Sequence, residues 1–356
     1  MNGNIAPVAG TGIVRVLVVD DSAYVRKMMT QMLARNPFVE VIGTARDGRE
    51  ALELAAELSP DVITCDLNMP EMDGVAFVRE QMARKPTAIV IISVANPAAD
   101  QVLDALEAGA VDFLQKPTAL ANDRLLEVAD DLVAKVKAAA HAPLARLAPV
   151  TTAEKVTPLP MAPRTGGGRV DVIVIGVSTG GPQALKTLIP QLSANLPVPV
   201  AIVMHMPVGY TELYAKKLDE LSQLTVKEAE RDDVLMPGVA YLAPAGRHMS
   251  FQRHGSDVRV HLDMRPLDMA HRPSVDVLFQ SAAETFGARV LGVVMTGMGS
   301  DGREGSAWIK VRGGQIITES EPSCVVYGMP RSVVEAGLSD TTASLEAMPG
   351  VILGRL

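Results

Sequence analysis

The 356-residue chain has few cysteines, few aromatic side chains and no excess of positive charge. Its two cysteines, Cys65 and Cys324, lie far apart and lack metal-ligand spacing, which argues against a disulfide framework or a cysteine zinc site. The net charge of −8 argues against a nucleic-acid-binding protein, because that role requires clustered lysine and arginine. No apolar run approaches the ~20 residues of a membrane span. We therefore expect a protein of the reducing cytoplasm with no membrane span and no nucleic-acid partner.

The chain has enough apolar sequence for two hydrophobic cores. Hydrophobic residues make up 48% and charged residues 21%, which indicates a globular protein. A length of 356 residues favours two domains. Between them, alanine, proline, threonine and glycine replace the apolar periodicity, as is typical of a linker. We place the first domain at residues 13–137, the linker at 138–169 and the second domain at 170–356.

The first domain alternates strand and helix patterns. Ser22 caps the first predicted helix, whose apolar positions recur at helical spacing. Further helices are predicted at 48–58, 75–83, 98–108 and 120–136, and strands at 13–19, 39–43, 62–65, 88–93 and 111–114. Five strands that alternate with five helices predict a doubly wound parallel sheet.

Five polar side chains fall at the carboxyl ends of these strands, where a parallel sheet carries its site. They are Asp20, Asp21, Asp66, Ser93 and Lys116. A single aspartate in such a position often only ends a strand or caps a helix. Three carboxylates together need a compensating cation, and oxygen ligands suit Mg²⁺. The joint arrangement therefore predicts a magnesium and phosphate site, with Lys116 close to a phosphoryl oxygen.

The second domain also reads as a mostly parallel α/β sheet, with one antiparallel hairpin around Gly255-Ser256. Strands are predicted at 172–175, 198–204, 239–242, 249–253, 258–262, 290–295 and 315–318. Helices are predicted at 182–192, 209–221, 273–286, at a segment ending at Val311, and at 329–336.

The turn after the first of these strands, Gly176-Val177-Ser178-Thr179-Gly180, fits the G-x-S-x-G pattern. Such a turn exposes a serine hydroxyl beside backbone N–H groups at a helix N-terminus, which favours a developing oxyanion. Glycine-rich strand-to-helix turns also bind phosphate, and others are ordinary turns. On its own the pattern leaves these three interpretations open.

Ser178, His205 and Asp301 each stand just past a buried strand, so a parallel sheet would bring them to one edge. A nucleophile, a base and an orienting carboxylate need this arrangement. The chain order differs from that of α/β-hydrolases, but such triads are recognised by role rather than order. Other histidines compete for the base role: His248, His254, His261 and His271.

Residues 14–133 resemble a response-regulator receiver domain. The matching segments are Val18-Val19-Asp20-Asp21-Ser22, Asp66-Leu67-Asn68-Met69-Pro70-Glu71-Met72-Asp73-Gly74, Ser93 and Lys116-Pro117. The resemblance implies that Asp66 accepts a phosphoryl group from a chemotaxis histidine kinase. It also implies that Asp20, Asp21, Asp66 and the carbonyl of Asn68 hold Mg²⁺. Ser93, Phe113 and Lys116 match the switch positions, where many relatives carry tyrosine in place of Phe113.

The second domain resembles the catalytic domain of chemotaxis protein-glutamate methylesterases. The segments that carry this resemblance are Gly176-Val-Ser-Thr-Gly-Gly-Pro182, His205-Met206-Pro207, Ala243-Pro-Ala-Gly-Arg-His-Met249, His271-Arg-Pro-Ser-Val-Asp-Val-Leu-Phe279 and Met295-Thr-Gly-Met-Gly-Ser-Asp-Gly302. It implies that Ser178 is the nucleophile, His205 the general base and Asp301 the residue that orients the histidine. Thr179 and Met298 would supply oxyanion-hole N–H groups, and His271 and Arg272 would line the cleft.

Together the two resemblances imply a phosphorylation-activated serine hydrolase of chemotaxis. It would demethylate glutamate esters on the cytoplasmic helices of methylated chemoreceptors, releasing methanol, and deamidate selected glutamines. Ester hydrolysis would need no cofactor, and Mg²⁺ would serve only receiver phosphorylation. Two alternatives remain: a phosphorylation-controlled module that binds a nucleotide at Gly176–Gly181, and a DNA-binding output, which the acidic balance argues against.

Overall fold

The computed structural model describes residues 12–93, 99–116, 122–144 and 170–356. The chain divides into two compact units, Met1–Ala148 and Pro149–Leu356. Most of the predicted linker, residues 145–169, lies outside the described residues. Within the described ranges, no helix combines the length and the apolar composition that a membrane crossing requires.

The N-terminal unit is a five-stranded parallel sheet with the order β2-β1-β3-β4-β5. Its strands are β1 (Val14–Val19), β2 (Val39–Ala45), β3 (Val62–Cys65), β4 (Ala88–Ser93) and β5 (Asp112–Gln115). Its helices are α1 (Ala23–Leu33), α2 (Gly48–Leu58), α3 (Gly74–Arg84), α4 (Ala99–Glu107) and α5 (Asn122–Ala139). The predicted doubly wound sheet is confirmed, and its strand order reverses between β1 and β3, where such folds place their site.

Buried strands and capped helices account for this unit. Every residue of β3 and β4 is buried, as expected for a parallel sheet covered on both faces. Ser22, Asp47 and Asp73 each accept a backbone N–H from the first turn of the helix they precede. Helix α5 continues past the predicted end at Val136 because Val136 and Ala139 still face the core.

The C-terminal unit is a seven-stranded, wholly parallel sheet with the order β14-β13-β12-β6-β7-β9-β8, and a separate antiparallel hairpin, β10–β11. The strands are β6 (Val172–Val177), β7 (Val200–Met204), β8 (Thr225–Glu228), β9 (Val239–Leu242), β10 (His248–His254), β11 (Asp257–Asp263), β12 (Val290–Val294), β13 (Gln315–Glu319) and β14 (Thr341–Ala343). The helices are α6 (Gly181–Leu188), α7 (Thr211–Leu221), α8 (Val275–Phe286), α9 (Arg303–Val311), α10 (Met329–Glu335) and α11 (Met348–Leu353). The predicted parallel sheet with one hairpin is confirmed.

Three elements of this unit were not predicted: β8, β14 and α11. Both strands are short edges of the sheet, where a polar, half-exposed sequence gives little period-two signal. Helix α8 begins at Val275 rather than at the predicted Pro273, because Ser274 is still extended, with φ −116° and ψ 138°. Helix α6 stops at Leu188 and gives way to a 3₁₀ turn before the predicted end at Leu192.

Strand β6 occupies the point where the order of the second sheet reverses, with β12 on one side and β7 on the other. In the register, Val177 of β6 pairs with Met204 of β7. Gly176 pairs with Val294 at the end of β12. The loops that follow these three strands therefore meet at the carboxyl edge of the sheet.

Helix α8 covers this part of the sheet so closely that β6 tolerates no side chain at Gly176. A Cβ at Gly176 would lie 2.7 Å from Cγ2 of the buried Val275. By contrast, a Cβ at Gly350 in α11 would meet nothing within 4 Å.

We predict that Gly176→Ala destabilises the C-terminal unit by about 1–3 kcal/mol, the usual cost of overpacking a core. Gly350→Ala should be neutral or slightly stabilising, since alanine favours a helix. Calorimetry that resolves the transitions of the two units measures both variants. Equal unfolding temperatures for the two variants would show that α8 can move away from β6.

Candidate functional site

In the N-terminal unit, three carboxylates and one lysine meet at the ends of β1, β3 and β5. Asp20 and Asp66 are buried, Asp21 is exposed, and one oxygen from each lies within 4.8 Å of the others. The ammonium nitrogen of Lys116 lies 2.7 Å from Oδ2 of Asp20 and 2.8 Å from Oδ2 of Asp66. The lysine therefore bridges the two buried carboxylates.

The backbone and the lysine fix the charges of this cluster. Oδ1 of Asp20 accepts the N–H of Ser22 at 2.9 Å, and Oδ1 of Asp66 accepts the N–H of Leu67 at 2.8 Å. Burial raises the pKa of Asp66, and the hydrogen bond and charge of Lys116 oppose this rise. Burial acts to lower the pKa of Lys116, but its bonds to Asp20 and Asp66 outweigh burial and raise it. Lys116 therefore stays protonated beside Asp66.

The other residues predicted for this site lie around the cluster. Ser93 and Phe113 are buried, and the carbonyl of Ser93 accepts the N–H of Lys116 at 2.7 Å. Asn68 is exposed in the loop after β3, so its role as a carbonyl ligand remains a prediction. A Cβ at Gly74 would lie 2.8 Å from Cα of Leu67, so this loop folds tightly back onto α3. Three convergent carboxylates are a donor set that fits Mg²⁺.

In the C-terminal unit, Ser178 stands in a tight turn between β6 and α6. Its N–H donates to the carbonyl of Thr296 at 3.0 Å, and its own carbonyl accepts the N–H of Gly181 at 2.7 Å. Gly180 has φ +79°, a conformation that favours glycine. A Cβ at Gly297 would lie 2.8 Å from Cβ of Ser178, so the loop after β12 packs directly against the turn.

His205 follows the neighbouring strand β7 and is paired with a carboxylate. Its N–H donates to the carbonyl of Val177 at 3.2 Å, and its Nε2 lies 2.8 Å from Oδ2 of Asp301. Its Nδ1 is buried and has no hydrogen-bond partner among the described residues. Within the same residues, the Ser178 hydroxyl makes no hydrogen bond to His205, a contact that many enzymes tighten only with substrate bound.

The carboxylate of Asp301 lies at the N-terminus of α8 and accepts four hydrogen bonds. Besides His205, the donors are the hydroxyl of Ser274 at 2.9 Å and the N–H groups of Val275 at 2.8 Å and Asp276 at 2.9 Å. Burial acts to raise the pKa of Asp301, but His205 and the N–H donors outweigh it and hold the pKa well below its usual range. An ionised Asp301 keeps the proton of neutral His205 on Nε2, and Nδ1 is then the lone pair that can accept a proton.

Asp276 makes the reciprocal contact with the N-terminus of α9. Its Oδ1 accepts the N–H of Gly302 at 2.9 Å and the N–H of Gly305 at 2.7 Å. Each of the two acids thus accepts N–H groups from the start of the helix that begins beside the other acid. Burial, together with the negative charge of Asp301, raises the pKa of Asp276 to about 7.

The remaining predicted site residues surround His205 and Ser178. The ring of the exposed His271 stacks on the ring of His205, with centroids 4.0 Å apart and planes at 22°. Arg272 donates from Nη2 to the carbonyl of Leu267 at 3.2 Å. Thr179 is buried next to Ser178, and the half-buried Met298 follows the loop that contacts the turn. The oxyanion role of these last two residues remains a prediction.

Of the competing histidines, His271 stacks on His205, and the other three belong to the β10–β11 hairpin. His248 is buried, its Nδ1 accepts the N–H of Ser274 at 3.2 Å, and its Nε2 lies 3.1 Å from the carbonyl oxygen of Pro266 and 3.4 Å from Nε of Arg272. Burial lowers the pKa of His248, in keeping with a neutral ring. His254 and His261 lie on the separate hairpin.

Sequence reasoning missed four residues of this site: Ser274, Asp276, Thr296 and Glu319. The first three stand in segments that carry the family resemblance but were given no role, although serine and aspartate at a helix start are a capping signal. Glu319 ends β13, and a buried glutamate at such a position is itself unusual.

Comparisons with known proteins match both units. The response regulator receiver domain model matches residues 16–130, and the CheB methylesterase model matches residues 173–352. The chain is therefore a response regulator whose second unit is of the methylesterase class.

Relatives that match nearly the whole chain carry names of the same class. A protein-glutamate methylesterase/protein-glutamine glutaminase of Myxococcus xanthus is 48% identical over 94% of this chain and 96% of its own length. One of Symbiobacterium thermophilum is 45% identical over 94% of each chain. The solved catalytic domain of the Thermotoga maritima CheB methylesterase is 39% identical, with a TM-score of 0.52 over 52% of this chain and 99% of that one. The chain belongs to the protein-glutamate methylesterase/protein-glutamine glutaminase family.

We predict a pH dependence of stability that comes from Asp276. Its folded pKa of about 7 exceeds the unfolded value of about 3.9, so the folded state binds the proton more tightly. The stabilisation from this group is therefore fully present below pH 4 and is lost as the pH rises to about 7. Asp276→Asn keeps the acceptor for Gly302 and Gly305 but cannot ionise, so it should flatten this fall.

Calorimetric unfolding temperatures of the C-terminal unit at pH 5 and pH 8 measure the difference. Asp257→Asn, at the exposed first position of β11, is the matched control. An unchanged slope in Asp276→Asn would mean that another group binds the proton.

Proposed function

We propose that the chain hydrolyses γ-glutamyl methyl esters on the helices of methylated chemoreceptors and releases methanol. The observation that carries the proposal is the hydrogen bond of 2.8 Å between His205 and Asp301, at the end of the strand next to the Ser178 turn. The names of the relatives support the same chemistry. As these names imply, the chain also converts receptor glutamines to glutamate.

In this proposal the Ser178 hydroxyl attacks the ester carbonyl, and Nδ1 of His205 takes its proton. The charge of Asp301 stabilises the imidazolium that results. The imidazolium returns the proton to the leaving methanol oxygen, which leaves an acyl-serine. Water then attacks the acyl group, His205 takes its proton and returns it to Oγ of Ser178, and the serine is released with a free glutamate. For a glutamine side chain the leaving group is ammonia, and the later steps are the same.

The residues around the triad have proposed roles in this reaction. The backbone N–H groups of Thr179 and Met298 would hold the oxyanion of the tetrahedral intermediate. His271 and Arg272 would line the cleft, where the stacked ring of His271 also limits how His205 can rotate. No protein group beyond these is needed to activate the ester.

The N-terminal unit controls this activity in our proposal. Asp66 would take a phosphoryl group from a chemotaxis histidine kinase, and Asp20, Asp21, Asp66 and the Asn68 carbonyl would hold Mg²⁺. Bound Mg²⁺ neutralises charge on the phosphoryl oxygens during transfer. Lys116, already a cation beside Asp66, would then contact the phosphoryl group, and Ser93 and Phe113 would respond to it.

We predict that Ser178→Ala abolishes methanol release from methylated receptor, because alanine has no hydroxyl to form the acyl intermediate. The loss should be at least about a thousandfold in kcat, as expected when a triad nucleophile is removed. Gas chromatography of the released methanol measures it.

Ser193→Ala is the matched control, since Ser193 is also half-buried but lies beyond the other end of α6. It should keep full activity. Methanol release that survives Ser178→Ala would identify a different nucleophile. No methanol from the wild type under any condition would favour the nucleotide-binding alternative.

We further predict that a small phosphodonor with Mg²⁺ raises methanol release by about tenfold, a change that requires only ~1.4 kcal/mol. Asp66→Asn should not respond to the donor, because an amide cannot form the acyl phosphate. Release is compared with and without donor in both proteins. Equal stimulation of wild type and Asp66→Asn would place the phosphorylation elsewhere.

A further inference from the structure

Glu319, the last residue of β13, is a fully buried carboxylate beneath the nucleophile turn. Its Oε2 accepts the backbone N–H of Thr296 at 2.8 Å. Its Oε1 accepts the hydroxyl of Ser323 at 2.9 Å. One carboxylate thus joins the loop after β12 to the loop after β13. The proposed reaction assigns it no role.

Thr296 is in turn hydrogen-bonded to two residues of the serine turn, Ser178 and Thr179. Its carbonyl accepts the N–H of Ser178 at 3.0 Å. Its hydroxyl donates to the carbonyl of Thr179 at 2.9 Å and accepts the N–H of Val326 at 3.0 Å. The backbone N–H of Thr296 is therefore held by Glu319, while its carbonyl holds Ser178 and its hydroxyl holds Thr179.

The next residue leaves this loop no room to shift without moving the serine. The N–H of Gly297 donates to the carbonyl of Val326 at 3.0 Å, and its carbonyl accepts the N–H of Met329 at 2.8 Å. A Cβ at Gly297 would come within 2.8 Å of Cβ of Ser178. A displacement of the Thr296–Gly297 backbone is therefore passed directly to Ser178.

We infer that Glu319 is a positioning residue for the nucleophile. Its carboxylate holds the N–H of Thr296, and Thr296 in turn sets the position of Ser178 relative to His205. The inference rests on the proposed function, because positioning matters only if Ser178 is the attacking group. The inference requires at residue 319 a buried hydrogen-bond acceptor long enough to reach the N–H of Thr296.

The decisive comparison is between Glu319→Gln and Glu319→Leu in the full chain. Glutamine can accept the N–H of Thr296 through its carbonyl oxygen and donate its amide to Ser323, whereas leucine of similar size can do neither. Glu319→Leu should lower kcat by about 10- to 100-fold, the cost of a small misplacement of a reacting group, with KM within about twofold. Glu319→Gln should stay within about threefold of wild type.

A second readout does not depend on the receptor substrate. A serine-directed fluorophosphonate forms a bond between phosphorus and Oγ of Ser178, with loss of fluoride and transfer of the hydroxyl proton to His205. Its labelling rate should fall in Glu319→Leu in parallel with kcat and recover in Glu319→Gln. A purely structural role would lower the unfolding temperature without this split between kcat and KM.

If Glu319→Leu does not fold, Glu319→Asp decides the question. Aspartate keeps the carboxylate but is one methylene shorter, so its oxygen is drawn away from the N–H of Thr296. Slowed labelling in Glu319→Asp and near-normal labelling in Glu319→Gln support the inference.

Two results would overturn it: wild-type rates in folded Glu319→Leu or Glu319→Asp, or a Glu319→Gln variant as slow as either of them. Ser178→Ala separates a failure of the Glu319 inference from a failure of the proposed function. Methanol release or labelling that persists in Ser178→Ala contradicts the proposed function itself, whatever the Glu319 variants do.

Discussion

The hydrogen bonds that the Asp301 carboxylate accepts are the interaction on which the geometry around His205 depends. The carboxylate accepts hydrogen bonds from two backbone N–H groups and one hydroxyl at the start of α8, and from the imidazole of His205. A buried negative charge is costly unless hydrogen bonds compensate for it. The helix N-terminus supplies that compensation, and it also fixes the direction in which the carboxylate faces the histidine.

The two units stabilise buried carboxylates in different ways. In the N-terminal unit, the ammonium group of Lys116 bridges Asp20 and Asp66. In the C-terminal unit, neutral N–H and O–H donors surround Asp301 and Glu319. A lysine side chain can move when a new anion arrives, whereas backbone donors cannot. The first arrangement suits a site that is modified and reset, and the second suits a site whose geometry must stay constant.

The sequence was sufficient to predict the interior of both sheets, because strands buried on both faces are continuous apolar runs. It was also sufficient to predict that Asp20, Asp66, Ser178 and His205 follow such strands. The edge strands β8 and β14 could not be predicted, since their residues are polar and partly exposed. Ser274 and Glu319 could not be assigned to the site either. Their contacts, to Asp301 and Thr296, lie 27 and 23 residues away in sequence, and only the folded chain makes them neighbours.

The reciprocal contacts of Asp276 and Asp301 also constrain how this protein can change over generations. Each acid caps the helix that begins beside the other, so a substitution at one position alters the environment of both helix starts. A change at either acid therefore removes hydrogen bonds from the helix start beside the other acid. An exchange of segments between relatives would keep both sets of hydrogen bonds only if the two helix starts fit each other, which is assured when both come from the same parent.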